Sequence, residues 1–333
     1  MTYRSHGSAL RIFAAMFGGM LLLTVLGLKN FTAWSQVEDL WKTELPPIFF
    51  VGHPHFFRFA VAYPGFLLED LVPGFGFSMY ISVYSGVGAS LLASLAYENG
   101  NRRISGFGWV VFAGFQLAMN GRGAIAWVGW MLVALNCCRL ERTGMFSLRM
   151  AFRWLVAALL VTVSTGVFVV SVACFVLFMK RHLRQIKVAI WMKLLMLLTA
   201  IPVVYFVGDY FLLALQKNID FFGGGFAGLI GMLSHGLGGV LASAPALLLI
   251  LFVFVMPAAL IWGFLVIFGA KIHSLSQLTI VAVLGGGFGF TVLTLAVPVF
   301  IAHRLVEGRR VVLGGRNAAG VRPRLRFAPR IVD

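Results

Sequence analysis

Charged side chains are scarce in this sequence. Asp, Glu, Lys and Arg make up 11% of its 333 residues, whereas apolar residues make up 60%. An ordinary soluble domain is about a quarter charged, and so few charges cannot cover the surface of a soluble protein of this length. Long apolar runs separated by short basic clusters instead predict an all-α, polytopic helical membrane protein.

Cysteine and nucleotide-binding motifs are also nearly absent. The three cysteines, Cys137, Cys138 and Cys174, fall in apolar runs and show no C-x-x-C spacing. They predict neither a disulfide framework nor a metal site. The sequence contains no G-x-x-x-x-G-K-[ST] motif, so we expect no ATPase activity of its own and no cofactor.

The apolar runs predict about ten membrane spans. An apolar helix needs about 20 residues to cross a hydrocarbon core of about 30 Å. Pro245 and Pro257 interrupt the longest run, which we divide near Pro257 into two spans. The first run lacks a small-x-small cleavage pattern, which favours a retained span over a removed signal peptide. The predicted spans are residues 10–28, 77–97, 105–119, 124–138, 146–163, 166–179, 188–207, 237–270 (counted twice) and 278–302.

Basic residues predict the orientation of these spans. Lys and Arg outnumber Asp and Glu by 27 to 11, and the bases concentrate in loops 99–104, 139–153 and 180–187 and in the tail 303–333. Such loops favour the cytoplasmic side, which predicts that both termini are cytoplasmic. We therefore expect a transmembrane domain over residues 1–302 and a disordered basic tail that binds anionic lipid.

The first predicted external loop, residues 29–76, is rich in aromatic residues. The segment from His55 to Tyr63 is too apolar for a free loop and too short to span, which predicts an interfacial helix. Arg58 lies among its phenylalanines, and the carboxyl side chains of Glu69 and Asp70 follow it. The pair His53 and His55 supplies too few ligands for a metal site.

The second predicted external loop, residues 208–236, contains further candidates for acid–base chemistry. Asp209 and Asp220 flank part of the loop, and His235 lies directly before a predicted span. A histidine has a pKa suited to a general base, although an interfacial polar residue is the alternative interpretation. The glycine triplet 223–225 gives a backbone that can close on a ligand.

Arg122 is the most informative single residue of the spans. It lies in a predicted hairpin turn, residues 120–123, at the external end of two spans, where a guanidinium is costly without an anionic partner. One interpretation is an arginine that reaches the lipid headgroups. The other is a bidentate clamp on a phosphate or pyrophosphate, and the same alternatives apply to Arg58.

The order of these features resembles a known group of membrane proteins. The segment 115–126, in which Arg122 is followed by small residues, the hairpin at 164–166 and the late loop ending in His235-Gly236 resemble the EpsG-like and O-antigen polymerase (Wzy) families. Members of these families join lipid-linked oligosaccharide repeat units on the external face of the bacterial inner membrane. The resemblance implies undecaprenyl diphosphate as the leaving group, no nucleotide sugar and no metal.

Two positions depart from the related patterns. The O-antigen ligases have His-Asn where this sequence has His235-Gly236, which weakens a ligase assignment. Many relatives place Ser-Arg-Gly where this sequence has Ser164-Thr165-Gly166, so one family arginine is either missing or supplied from elsewhere. Expected partners are a flippase and a chain-length regulator of the same pathway, and no nucleic acid.

The resemblance thus implies a metal-independent polysaccharide polymerase, with a transporter or lipid-glycan flippase and a non-enzymatic scaffold subunit as alternatives. The predicted catalytic residues are His235, Asp209 and Asp220. The predicted substrate-binding residues are Arg122, Arg58, His53, His55, Glu69 and Asp70.

Overall fold

The computed structural model describes residues 3–31, 33–100, 102–143, 147–182, 208–209, 212–213, 215–217, 219–228, 230–231, 253–262, 265, 292 and 294–307. The secondary structure of these residues consists of helices, together with one isolated β-bridge between Ile104 and Val306. The helices are α1 (Tyr3–Val25), α2 (Ser35–Trp41), a 3₁₀ helix (Pro47–Phe50), α3 (Phe56–Leu71), α4 (Gly76–Glu98), α5 (Gly106–Ala118), α6 (Gly121–Thr143), α7 (Leu148–Val161), α8 (Thr165–His182), α9 (Val253–Trp262) and α10 (Ala296–Arg304).

The predicted all-α class is confirmed over the described residues, and their apolar helices suggest a membrane protein. The count of about ten spans and the cytoplasmic placement of both termini stay predictions. Within the described ranges, three helices are long and apolar enough to cross a membrane, in α1 (Ser8–Val25), α4 and α6. Helix α5, the Thr165–Phe175 part of α8, and α9 are apolar but shorter. The predicted span 188–207 and most of 237–270 and 278–302 lie outside the described residues.

Polar residues at the turns determine where three helices begin. The side chain of Ser105 accepts a hydrogen bond from Gly108 N at the start of α5, and that of Ser147 accepts one from Met150 N at the start of α7. Asn120 Oδ1 accepts a hydrogen bond from Gly123 N at 2.8 Å, so α6 begins at Gly121. Each cap satisfies a backbone N–H that the first helical turn leaves without a partner. The turn before α6 is thus shorter than predicted.

Helix α6 forms the centre of the helical bundle. Sixteen of its 23 residues are buried inside the protein, whereas only 6% of the 18-residue α1 span is buried. Two fully buried indoles of α6 bind the segment before α10: Trp127 Nε1 donates to Thr294 Oγ1 and Trp130 Nε1 to Leu295 O. Helix α1 therefore lies at the rim with most of its surface exposed, and α6 anchors its neighbours.

Helix α3 occupies the place predicted for an interfacial helix. It begins at Phe56 and continues past Tyr63 to Leu71, and it packs against α4. Phe59, Ala62 and Phe66 form its buried face, together with Arg58. The ring of Phe66 stacks on Trp41 of α2 with 5.0 Å between the ring centroids. This apolar contact holds a buried arginine against the ends of other helices.

The antiparallel helices give the bundle two ends of different character. At one end, Glu98 of α4 accepts ion-pair contacts from Arg139 at 2.9 Å and Arg142 at 2.6 Å, both on α6. Asn99 also contacts His303 there, with 3.0 Å between Nδ2 and Nδ1. The opposite end contains the first turns of α6 and α8 and the buried Arg58 of α3.

Candidate functional site

Arg58 is the centre of a polar cluster at the α3 end of the bundle. Its side chain is buried, with a relative exposure of 2%. Nη1 donates to Gln36 Oε1 of α2 at 2.6 Å and lies 3.3 Å from His55 Nδ1. Nη2 donates to Thr165 Oγ1 at the start of α8. One guanidinium thus joins α2, α3 and α8, and these hydrogen bonds offset the cost of burying it.

Arg122 lies beside this cluster on a different helix. The Asn120 cap places Arg122 in the first turn of α6, and its guanidinium interacts electrostatically with that of Arg58. Its Nε atom is buried and has no hydrogen-bond partner, and within the described ranges Arg122 forms no ion pair. Two guanidinium groups therefore repel each other at a site where the second lacks a protein anion.

His53 and His55 precede α3 and extend the cluster. The backbone N–H of His55 donates to His53 Nδ1 at 3.2 Å, and the two rings lie 5.4 Å apart. Burial, and then the positive charges of Arg58 and Lys217, lower the pKa of His55 to about 4. Burial and the charge of Lys217 also lower the pKa of His53. Both imidazoles are therefore held in their neutral form at neutral pH.

Two lysines add positive charge from the surrounding segments. Lys217 is exposed and acts electrostatically on both histidines. Lys29, after α1, donates from Nζ to Leu117 O and Met119 O, each at 2.8 Å. Leu117 lies in the last turn of α5, and Met119 is its C-cap. The carbonyl groups at the C-terminal end of a helix carry partial negative charge and attract a cation. Burial lowers the pKa of Lys29 to about 8.

The predicted carboxylates take other positions. Glu69 accepts hydrogen bonds from Gly74 N at 2.5 Å and from Phe77 N at 2.8 Å, which caps the start of α4. Asp70, Asp209 and Asp220 are exposed. His235 lies outside the described residues. Where the structure describes the chain, the ion pairs join Asp39 to Lys42 and Glu98 to two arginines, and none reaches Arg122, His53 or His55.

Three residues of the cluster were not predicted as site residues. Gln36 and Thr165 are acceptors for Arg58, and Lys217 acts on the histidines. Thr165 lies in a polar hairpin turn, which is a usable signal in the sequence. Gln36 gives no such signal, because nothing local distinguishes it from other polar loop residues.

The cluster has the chemistry of an anion site. It combines two guanidinium groups, neutral imidazoles and the first turn of α6, where backbone N–H groups favour negative charge. In the ranges that the structure describes, no group of three or more His, Cys, Asp or Glu residues has the geometry to hold a metal ion. No protein-family model, no curated protein and no solved structure matches the chain.

Proposed function

We propose that the protein is a membrane glycosyltransferase that polymerises undecaprenyl-diphosphate-linked oligosaccharide repeat units on the external face of the bacterial inner membrane. The observation that carries this proposal is Arg122, a mostly buried guanidinium with a buried, unpaired Nε beside a second guanidinium. A diphosphate supplies the negative charge that Arg122 lacks among the ion pairs of the described residues.

The proposed reaction needs positive charge at one position and a base at another. The bond between the anomeric carbon and the diphosphate oxygen breaks, and the acceptor hydroxyl oxygen forms the new bond to that carbon. The electron pair of the broken bond stays on the departing diphosphate, where Arg122 stabilises it. The hydroxyl proton goes to a base, for which His235, Asp209 and Asp220 remain the candidates. Neither step requires a metal or a cofactor.

The position of Arg58 supports the resemblance to the polymerase families. Many relatives in those families place an arginine in the second hairpin, where this chain has Thr165. Here Arg58 donates to the Thr165 hydroxyl from α3 and so brings a guanidinium to that hairpin from another part of the chain. Arg58 and Arg122 would then correspond to the two arginine positions of the family pattern.

The layout of charges along the bundle supports the proposed orientation. Glu98, Arg139 and Arg142 meet at one end, close to the basic loops expected in the cytoplasm. The cluster of Arg58 and Arg122 lies at the other end, on the external face in the ten-span arrangement with cytoplasmic termini. A lipid-linked oligosaccharide presented outside the cell would reach that face.

The test is elongation of a purified lipid-linked oligosaccharide diphosphate in proteoliposomes, with products separated on a gel. We expect Arg122→Ala to lower the elongation rate by about a hundredfold, as for loss of one oxyanion-stabilising donor. Arg122→Lys should retain part of the rate, because an ammonium keeps the charge without the bidentate geometry. Arg149→Ala, at the opposite end of the bundle, is the matched control and should leave the rate unchanged.

The same assay separates the alternatives. Equal rates for Arg122→Ala and the native protein, at equal protein level, would refute the proposed role of Arg122. Movement of the lipid-linked glycan across the vesicle membrane without elongation would indicate a flippase. Elongation by the purified protein without other proteins excludes a scaffold subunit that only assembles the flippase and chain-length regulator.

A further inference from the structure

The sequence places His53 and His55 among the predicted substrate-binding residues, and their hydrogen bonds indicate which ring atoms are available to a ligand. We propose that both imidazoles are neutral N–H donors, through Nε2, to the same anion that Arg122 binds. This inference rests on the proposed function, because it takes the diphosphate of the lipid-linked substrate as the anion. It goes further by giving the two histidines a defined tautomer and a defined role.

The tautomer of His55 follows from its contact with Arg58. A guanidinium nitrogen is always a donor, and Arg58 Nη1 lies 3.3 Å from His55 Nδ1. The Nδ1 lone pair of His55 is therefore the acceptor, and the ring hydrogen is on Nε2. Because Arg58 is itself fixed by Gln36 and Thr165, the orientation of the His55 ring is fixed with it.

The tautomer of His53 follows from a backbone contact. The His55 N–H donates to His53 Nδ1 at 3.2 Å, and a backbone N–H has no other role than that of a donor. The ring hydrogen of neutral His53 is thus also on Nε2. Both rings direct their lone pairs toward the protein, and each leaves one N–H for a ligand.

This arrangement excludes the two other roles that a histidine pair suggests. A general base needs an unprotonated ring nitrogen that faces the substrate, whereas both Nδ1 atoms already accept hydrogen bonds from the protein. A metal ligand needs the same lone pair. The positive surroundings of Arg58 and Lys217 also oppose a further charge on His55, which agrees with its low pKa.

Neutral donors suit a site that must release its anion after each transfer. Arg122 and Arg58 already supply two positive charges, and more charge would bind the departing diphosphate more tightly. A neutral N–H group orients the diphosphate through a directional hydrogen bond, but it attracts the diphosphate less strongly than a cation does. His53 and His55 would therefore fix the position of a phosphate oxygen at the mouth of the site.

Two substitutions at His55 separate a donor role from a structural one. His55→Asn keeps an acceptor near the Nδ1 position for Arg58 and removes the Nε2 donor. His55→Gln places an amide N–H near the Nε2 position and removes the acceptor for Arg58. If His55 donates to the anion, the Asn variant should bind inorganic pyrophosphate about tenfold more weakly, and the Gln variant should stay within about threefold of the native protein.

The experiment uses the full chain in detergent micelles, with ¹⁵N-labelled histidine and pyrophosphate as the probe. We expect imidazole nitrogen shifts of the Nε2–H tautomer for both rings at pH 7, and a change in the Nε2 signals on titration. Thermal unfolding verifies that both His55 variants are folded, and His53→Gln and His55→Gln assign the signals.

Three results would overturn the proposal: an Nδ1–H tautomer for either ring, weaker pyrophosphate binding in the Gln than in the Asn variant, or native affinity in both. None of these results depends on glycosyl transfer. Loss of elongation in Arg122→Ala would therefore still support the polymerase when the histidine proposal fails. If both rings show the Nε2–H tautomer and pyrophosphate binds, but no variant and not even the native protein elongates the substrate, the anion site is supported and the polymerase function is refuted.

Discussion

Two arginines at the same end of the bundle have different structural roles. Arg58 is buried and hydrogen-bonded to Gln36 and Thr165, with His55 Nδ1 close by. Arg122 has a buried Nε without an acceptor and forms no ion pair within the described residues. Arg58 therefore organises the cluster, because its hydrogen bonds join three helices, whereas the role of Arg122 in ligand binding stays a prediction.

A prediction at the residue scale concerns Glu69. Its two oxygens accept hydrogen bonds from Gly74 N and Phe77 N, so removing the carboxylate leaves the start of α4 uncapped. We expect Glu69→Ala to lower the free energy of unfolding by about 1 kcal/mol, as for other lost caps. Asp70→Ala, on the exposed neighbouring residue, is the control. Thermal unfolding in detergent measures both, and equal stability of the two variants would contradict the capping role.

At the scale of elements, close packing against α6 depends on small residues. A Cβ on Gly129 would lie 2.9 Å from the backbone nitrogen of Val161 on α7, which cannot move as a side chain can. Small residues allow this approach of helices inside a membrane, where apolar side chains gain little from leaving lipid. The contact between α6 and α7 therefore requires glycine at this position.

Gly129→Ala should lower the free energy of unfolding by about 1–3 kcal/mol, the range for overpacking of a well-packed interior. Gly18→Ala is the matched control, because a Cβ on Gly18 of α1 meets nothing within 4 Å. It should be neutral or slightly stabilising, since alanine is the better helix former. Comparison of the two melting temperatures in one detergent tests the prediction. A Gly129 variant as stable as the Gly18 variant would show that α6 and α7 are farther apart.

The sequence predicted most described helices but not all of their ends. Runs of apolar residues mark α1 and α4 to α8 because burial and lipid both favour long apolar helices. The turn at 120–123 was predicted too long, since Gly121, Arg122 and Gly123 look like turn residues while the Asn120 cap allows them to be helical. Capping is decided by one side-chain hydrogen bond, which composition alone does not reveal.

The contacts of the site were beyond sequence reasoning for a different reason. Arg58, Arg122, His53 and His55 could be grouped from the predicted topology, and their role in ligand binding stays a prediction. Arg58 and Thr165 are separated by 107 residues, and no periodicity links them. Which hydroxyl or amide faces a buried guanidinium depends on the rotation of each helix, which only tertiary packing determines.

At the scale of the whole molecule, each end of the bundle has its own charge arrangement. The carboxylate of Glu98 forms ion pairs with two arginines at one end. At the other end, Arg122 and Lys217 take part in none of the ion pairs of the described residues. If the Glu98 end is cytoplasmic, the basic loops follow the positive-inside rule and the cluster of Arg58 and Arg122 faces the outside of the cell. Orientation thus decides whether the cluster of Arg58 and Arg122 can receive an extracellular substrate.

Site-directed cysteine labelling in intact cells tests this orientation. We expect a membrane-impermeant maleimide to label Asp39→Cys directly, and Glu141→Cys only after the cells are permeabilised. Both residues are exposed, so accessibility within the fold does not distinguish them. The native chain, whose cysteines are buried or partly buried, provides the background. Direct labelling of Glu141→Cys would invert the proposed topology and refute an external anion site.

Helix α5 is shorter than the hydrocarbon core of a bilayer is thick. With 13 residues, α5 is about 20 Å long, whereas a hydrocarbon core is about 30 Å thick. Its end at Ala118 lies four residues before Arg122, and Lys29 binds the carbonyls there. In the proposed orientation, the outer leaflet must thin or dip beside α5. A lipid-linked sugar could then bring its diphosphate to Arg122 while its isoprenoid chain stays among the acyl chains, so that chain never has to leave the bilayer.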